Sequence, residues 1–227
     1  MSPKSTHPLR AAPNEQWRRK VRLAASRAAI LALLFLMAVP EVLAQPETPI
    51  TFSVKKSKLL MSASNPLAAG KDPDAVISVT LPGVLYDPPL LIGPAAKEAI
   101  ERARIEGALA SDHGANLAAD VDWMASGFVA KERTELRAFF AGNPVRMARN
   151  QAAVKSIKRF LLEGVVRHGD YRLALIIRER AGSMRRLVYT FVSKPEGWLR
   201  TNALSAEPVF DVVFSAAIGG TVRRKDK

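Results

Sequence analysis

The sequence predicts an α+β fold in which N-terminal helices pack on a strongly curved antiparallel β-sheet, preceded by an extended arm. Three observations lead there. Helical periodicity runs through residues 94–155, alternating apolar segments joined by short turns occupy 157–201, and a proline-rich stretch with little helical period fills 45–93. The predicted organisation is a signal segment (1–44), an extended arm with short strands (45–93), an α+β domain (94–220) and a basic tail (221–227).

The first segment has the parts of an export signal. Arg18, Arg19, Lys20, Arg22 and Arg27 precede an apolar run from Ala28 to Val39, Pro40 breaks the helix, and Val42-Leu43-Ala44 offers compact residues to signal peptidase. Cleavage is expected after Ala44, giving a periplasmic or secreted bacterial protein. The run of twelve apolar residues is short against the roughly 20 that a membrane span needs. An uncleaved N-terminal membrane anchor is the alternative. The chain contains no cysteine, which removes disulfides, thiolate nucleophiles and a lipidated cysteine together. Residues 45–227 carry 27 Lys or Arg against 19 Asp or Glu, a formal +8 where the whole chain has +13. In an envelope such charge suits an anionic surface or an acidic envelope protein. Export argues against nucleic acid.

In the arm, Ile50–Val54 and Ala75–Leu81 alternate as strands do, with a loop by composition from Ser62 to Asp74. From Pro94 onward, apolar or small residues recur at Ile100, Ala103, Gly107, Ala110, Gly114, Leu117, Val121 and Met124, in steps of three and four. Ser111-Asp-His-Gly-Ala-Asn116 reads as a turn inside that seam, so two helices are expected, about 94–110 and 115–125. A third spans about 131–141 and stops at Gly142. Asn143-Pro144 then supplies a cap and a first-turn proline for a helix to about Lys155.

The meander follows in four strands, 157–166, 171–178, 185–192 and 197–201, with turns at Arg167–Asp170, Ala181–Ser183 and Pro195-Glu196. Leu187, Tyr189 and Phe191 share one face of the third strand, and Arg186, Val188 and Thr190 the other. Pro208–Ala217 closes the domain as a short helix or strand.

Residues 94–214 resemble the nuclear transport factor 2-like (SnoaL-like) superfamily. The resemblance is carried by Ser111-Asp-His-Gly114, Asp122-Trp-Met124, Gly164–Leu175 and Lys194–Asn202. It implies a cone of bent sheet and helices around a cavity. It also implies that enzymatic members hold an Asp-His or Tyr-Asp pair inside the cone, for which His113, Asp120, Asp122 and Tyr189 are the nearest residues here.

No catalytic set assembles from these residues on the sequence alone. Asp120 and Asp122 are two apart and cannot share a helix face, and His168 sits in a Gly-Asp turn. Beyond residue 44 the two histidines, His113 and His168, stand at unrelated positions and make no metal shell, and no phosphate-binding loop occurs, so neither metal nor cofactor is expected. Trp123, Tyr189, Phe191 and His113 are the candidates for lining a ligand pocket. Arg172, Arg178, Arg185 and Arg186 are the candidates for a basic, partner-binding patch, since guanidinium groups suit carboxylate or phosphate.

The expected function is an exported, non-catalytic binding or assembly module of the bacterial cell envelope, working through a cone cavity or a basic sheet face. The alternative is a periplasmic carrier of a small apolar ligand or lipid, or an isomerase or lyase of the resembled kind. A homodimer through the sheet face is also expected, because both faces of the meander carry apolar residues.

Overall fold

The computed structural model of the protein describes residues 46–60, 65–70 and 72–224. The chain divides into two units, Met1–Gln45 and Pro46–Lys227. The expected export signal and its cleavage point lie in the first unit, outside the described residues.

The second unit is α+β, with two strands first, β1 (Thr48–Lys55) and β2 (Val76–Leu91). Four helices follow: α1 (Ile105–Ala118), α2 (Val121–Ser126), α3 (Ala130–Phe140) and α4 (Pro144–Lys155). The meander is β3 (Arg159–His168), β4 (Tyr171–Arg180), β5 (Ser183–Lys194) and β6 (Gly197–Thr201). Helix α5 (Pro208–Gly219) and strand β7 (Thr221–Arg224) complete it. All seven strands form one antiparallel sheet in the order β6-β5-β4-β3-β2-β1-β7. Among the described residues no helix is long and apolar enough to cross a membrane.

The segment read as an arm therefore supplies two strands of this sheet, and β2 lies directly beside β3. Its length was hidden by prolines. Pro82 faces Pro49 across the β1–β2 pair, and Pro88 and Pro89 fall where the β2–β3 register shifts between Leu85 and Leu90. A residue without an N–H is tolerated where the ladder asks for no donor. A second register shift on β3, between Leu162 and Gly164, lies next to the first. Such irregularities bend and twist a sheet, and they curve this one at its middle.

Strand β4 is buried on both faces. Leu173 and Leu175 point into a cluster with Phe52, Val212, Val213 and Ala216, under α5. Ala174 and Ile176 point the other way, with Leu109, Phe160 and Phe191, under α1. The final apolar stretch is thus a helix on the opposite side of the sheet from α1. Leu60 and Asn65, between β1 and β2, are tied to α5 by the buried Asp211, which accepts from Leu60 N (3.2 Å) and Asn65 Nδ2 (3.0 Å).

Helix α1 runs unbroken through Ser111-Asp-His-Gly114, where the sequence predicted a turn. The glycine is there for close approach instead. A Cβ on Gly114 would run into the Ala95 carbonyl oxygen and come within 2.9 Å of the Trp123 ring. The break comes later, at Ala119 with φ of 55°, and Asp120 then caps α2 by accepting from Trp123 N at 2.9 Å.

The outer edge of β6 is closed by backbone from other segments. Trp198 N donates to Arg102 O (2.8 Å), Arg200 N to Gly127 O (2.8 Å), and Val129 N to Arg200 O (3.1 Å). Gly197, at φ of 107°, sits so close to the Arg102 backbone that any Cβ would collide with it. The opposite edge is β7, four residues long and carrying Arg223 and Arg224, where short length and charge discourage further pairing.

Candidate functional site

Two arrangements of functional side chains stand out, one buried under α1 and one open at the end of the sheet. The buried one centres on Arg200. Strand β6 places Arg200 opposite Phe191, on the face that meets α1. Its guanidinium lies 3.7 Å from the Tyr189 ring centroid and 4.7 Å from that of Phe128, and its Nη1 donates to Asp112 Oδ1 at 3.2 Å. The two side chains are only 21% and 7% exposed. Burial alone would lower the pKa of Arg200. The Asp112 charge, the Tyr189 phenol and the hydrogen bond outweigh it and hold the guanidinium above its ordinary value.

The network continues into α4. Asn116, one turn after Asp112, donates to the Asp112 carbonyl (2.7 Å) and accepts from Asn150 Nδ2 (2.8 Å). On the other side of Tyr189, Arg178 donates to the phenol oxygen and lies over the Phe160 and Tyr189 rings, 5.6 Å from each centroid. His113 meets Phe160 edge to face at 5.0 Å. Its pKa is lowered by burial first and by the Arg178 charge, against Asp112 and a hydrogen bond to the Ile92 backbone. Between α1, α4, β3 and β4, a recess bordered by His113, Asn116, Phe160 and Arg178 has about 10 Å³ of space, room for roughly one water molecule.

Of the predicted pocket residues, His113 and Tyr189 therefore belong to one cluster. Phe191 is 1% exposed and packs into the core beside it. Trp123 is apart from them. It is 6% exposed, packs with Ala115 and Met124, and its indole N–H donates to Ser111 Oγ at 3.0 Å. Asp120 and Asp122 are engaged on the surface, by Lys97 (2.6 Å) and Arg137 (2.8 Å). His168 ends β3, half-buried, opposite Tyr171. Among the described residues no group of three or more His, Cys, Asp or Glu could hold a metal.

The predicted arginine patch separates into three places. Arg178 and Arg185 face each other across the β4–β5 pair on the α1 side, and Arg178 is drawn inward over its two rings. Arg186, one residue on, points to the opposite face and meets Glu163 at 3.4 Å. Arg172 lies six residues along β4 from Arg178, on the order of 20 Å away.

Arg172 belongs instead to an open groove of about 490 Å³ at the β3–β4 and β5–β6 turns, lined by Arg167, Asp170, Arg172, Lys194 and Trp198. The Arg172 guanidinium is 5.6 Å from the centroid of the half-buried Trp198 ring. Arg167 is held by Glu47 at 2.9 Å. Among the described residues, neither Arg172 nor Lys194 meets a carboxylate.

Sequence reasoning missed Asp112, Arg200 and Lys194 as members of these sites. Alternation does put Trp198 and Arg200 on the Phe191 side of the sheet, and the i, i+4 spacing pairs Asp112 with Asn116. The partnership of Asp112 with Arg200 spans 88 positions and leaves no local trace. No protein-family model, curated protein or solved structure matches the chain.

Proposed function

We propose that the protein is an exported, non-catalytic binding module of the bacterial cell envelope that receives an acidic partner in the groove of Arg172, Lys194 and Trp198. One observation carries this reading: Arg172 and Lys194, neither of them ion-paired among the described residues, stand beside a half-buried indole in an open groove that Asp170 also borders. Carboxylates would gain charge-assisted hydrogen bonds there, and apolar parts of the partner would lie on the ring.

The chemistry of the buried cluster fits the non-catalytic side of the proposal. Asp112 is committed to Arg200 and Asn116, and the space beside His113 holds about one water, too little for an organic substrate. A nuclear transport factor 2-like cone, with α1 to α4 ahead of the meander, belongs to the same reading, as does export ahead of residue 45.

The test is recovery of partners from envelope extracts by the Arg172→Glu/Lys194→Glu protein, set beside Arg185→Glu/Arg186→Glu. Partners lost by the first and kept by the second support the groove. Partners kept by both, with circular dichroism showing an intact fold, exclude it.

A further inference from the structure

The α3–α4 hairpin presents a surface that the groove does not use. Its two aromatic neighbours point in different directions. Phe140 packs inward with Leu136 and Met147 against Trp123 and Met124, while Phe139 stands 51% exposed. Across the Gly142 turn, Val145 is 59% exposed. Ala138, Ala141, Pro144 and Ala148 are exposed around them, so the tip is an apolar cap on a hairpin whose two helices bury only Glu132 and Val154.

The charges nearest this cap are mostly basic, with Glu135 one turn before Phe139 on the same face of α3. From Leu136 to Asn150 there is no Asp or Glu, and Arg137, Arg146 and Arg149 form a collar. Arg137 is paired with Asp122. Arg146 lies over the Phe139 ring, 4.1 Å from its centroid, and neither it nor Arg149 meets a carboxylate among the described residues. Exposed aromatic and aliphatic side chains ringed by arginine match the boundary of an anionic bilayer. There the apolar cap enters the headgroup region by roughly 5–10 Å and the guanidinium groups stay with the phosphates.

We infer that the α3–α4 tip, through Phe139 and Val145 with Arg146 and Arg149, docks the protein on an anionic lipid surface. An acidic polypeptide would pair with the arginines but would not require two outward apolar side chains at their centre. The lipid surface satisfies both features.

The native chain has no cysteine, so a single introduced thiol can report the environment of one position in the full-length protein. Ala141→Cys at the tip and Met184→Cys at the β4–β5 turn are each labelled with an environment-sensitive fluorophore. They are mixed with phosphatidylglycerol–phosphatidylcholine vesicles or with phosphatidylcholine vesicles alone. The expected result is a blue shift at position 141, quenched by nitroxide-bearing lipid, with the anionic vesicles only. Position 184 stays aqueous, and high salt weakens the effect.

Adding Arg146→Gln/Arg149→Gln should weaken partition of the 141-labelled protein about tenfold or more. Phe139→Ser/Val145→Ser should abolish the quenching. No shift at 141, equal shifts at 141 and 184, or unchanged partition of the arginine variant overturns the inference. A shift at 141 with soluble polyglutamate and none with vesicles also overturns it, in favour of an acidic polypeptide.

Discussion

Replacing Arg200 by methionine should destabilise the domain by about 3 kcal/mol, because it strands Asp112 in the interior. Asp112 is 7% exposed and would keep only the Asn116 amide, at 3.3 Å, as a side-chain donor. Breaking a buried pair costs about 3–5 kcal/mol. Here the lower end applies, since Arg200 itself is 21% exposed. Loss of the guanidinium over the Tyr189 and Phe128 rings adds about 0.5–1 kcal/mol, partly offset by the packing of methionine. For a domain of this size the melting temperature should fall by roughly 6–12 °C.

The decisive comparison is the double variant Asp112→Asn/Arg200→Met. It removes both charges, so it should be about 1–2 kcal/mol more stable than Arg200→Met alone. Guanidinium denaturation followed by tryptophan fluorescence measures the four proteins of the cycle, the parent, Arg200→Met, Asp112→Asn and the double variant. A loss below about 1 kcal/mol for Arg200→Met, or a double variant as unstable as the sum of its parts, would refute the buried-pair reasoning.

Three further predictions concern protons and caps. The Tyr86 pKa is pushed up from 10.0 to about 12, by burial first and then by the charge and hydrogen bond of Glu106. The folded state keeps that proton longer than the unfolded chain, so stability present below pH 10 is lost as pH rises toward 12. Tyr86→Phe should remove this alkaline slope and one phenolate absorbance step. Asp120 is held below its ordinary value by the Lys97 hydrogen bond first and then by Trp123 N–H. Its contribution is present above the ordinary Asp range and lost on acidification below it. Asp120→Ala should cost about 1 kcal/mol at neutral pH and flatten the acid limb of the stability curve. His113, lowered chiefly by burial, should titrate below 6.5 in an NMR pH series. Stability linked to it is present above that value and lost as the pH falls, and His113→Gln should remove this dependence.

How much of this was legible depended on whether the signal was local. Strands β3 to β6 could be read because each hairpin carries its own turn chemistry, such as Arg167-His-Gly-Asp170. Helix α4 could be read from Asn143-Pro144, where Asn143 does cap the first turn by accepting from Arg146 N at 3.0 Å. Gly114 misled, because a glycine required for close approach and one required for a turn look alike in sequence. Strand β2 was foreshortened for a similar reason, since its prolines sit at irregular places that only the pairing with β1 and β3 defines. The arginines were visible, but their separation was not. Whether a guanidinium faces solvent, a ring or a carboxylate depends on contacts such as Arg186 with Glu163, which arise from the register of two strands.

The groove is the claim on which the functional reading stands. Its most direct measurement is the fluorescence titration of the protein with polyglutamate at low and high salt, using the Trp198 indole as reporter. The account predicts saturable, salt-sensitive binding, weakened about tenfold or more by Arg172→Glu/Lys194→Glu and unchanged by Arg185→Glu/Arg186→Glu. Equal affinity for the groove-reversed protein and the parent would contradict it.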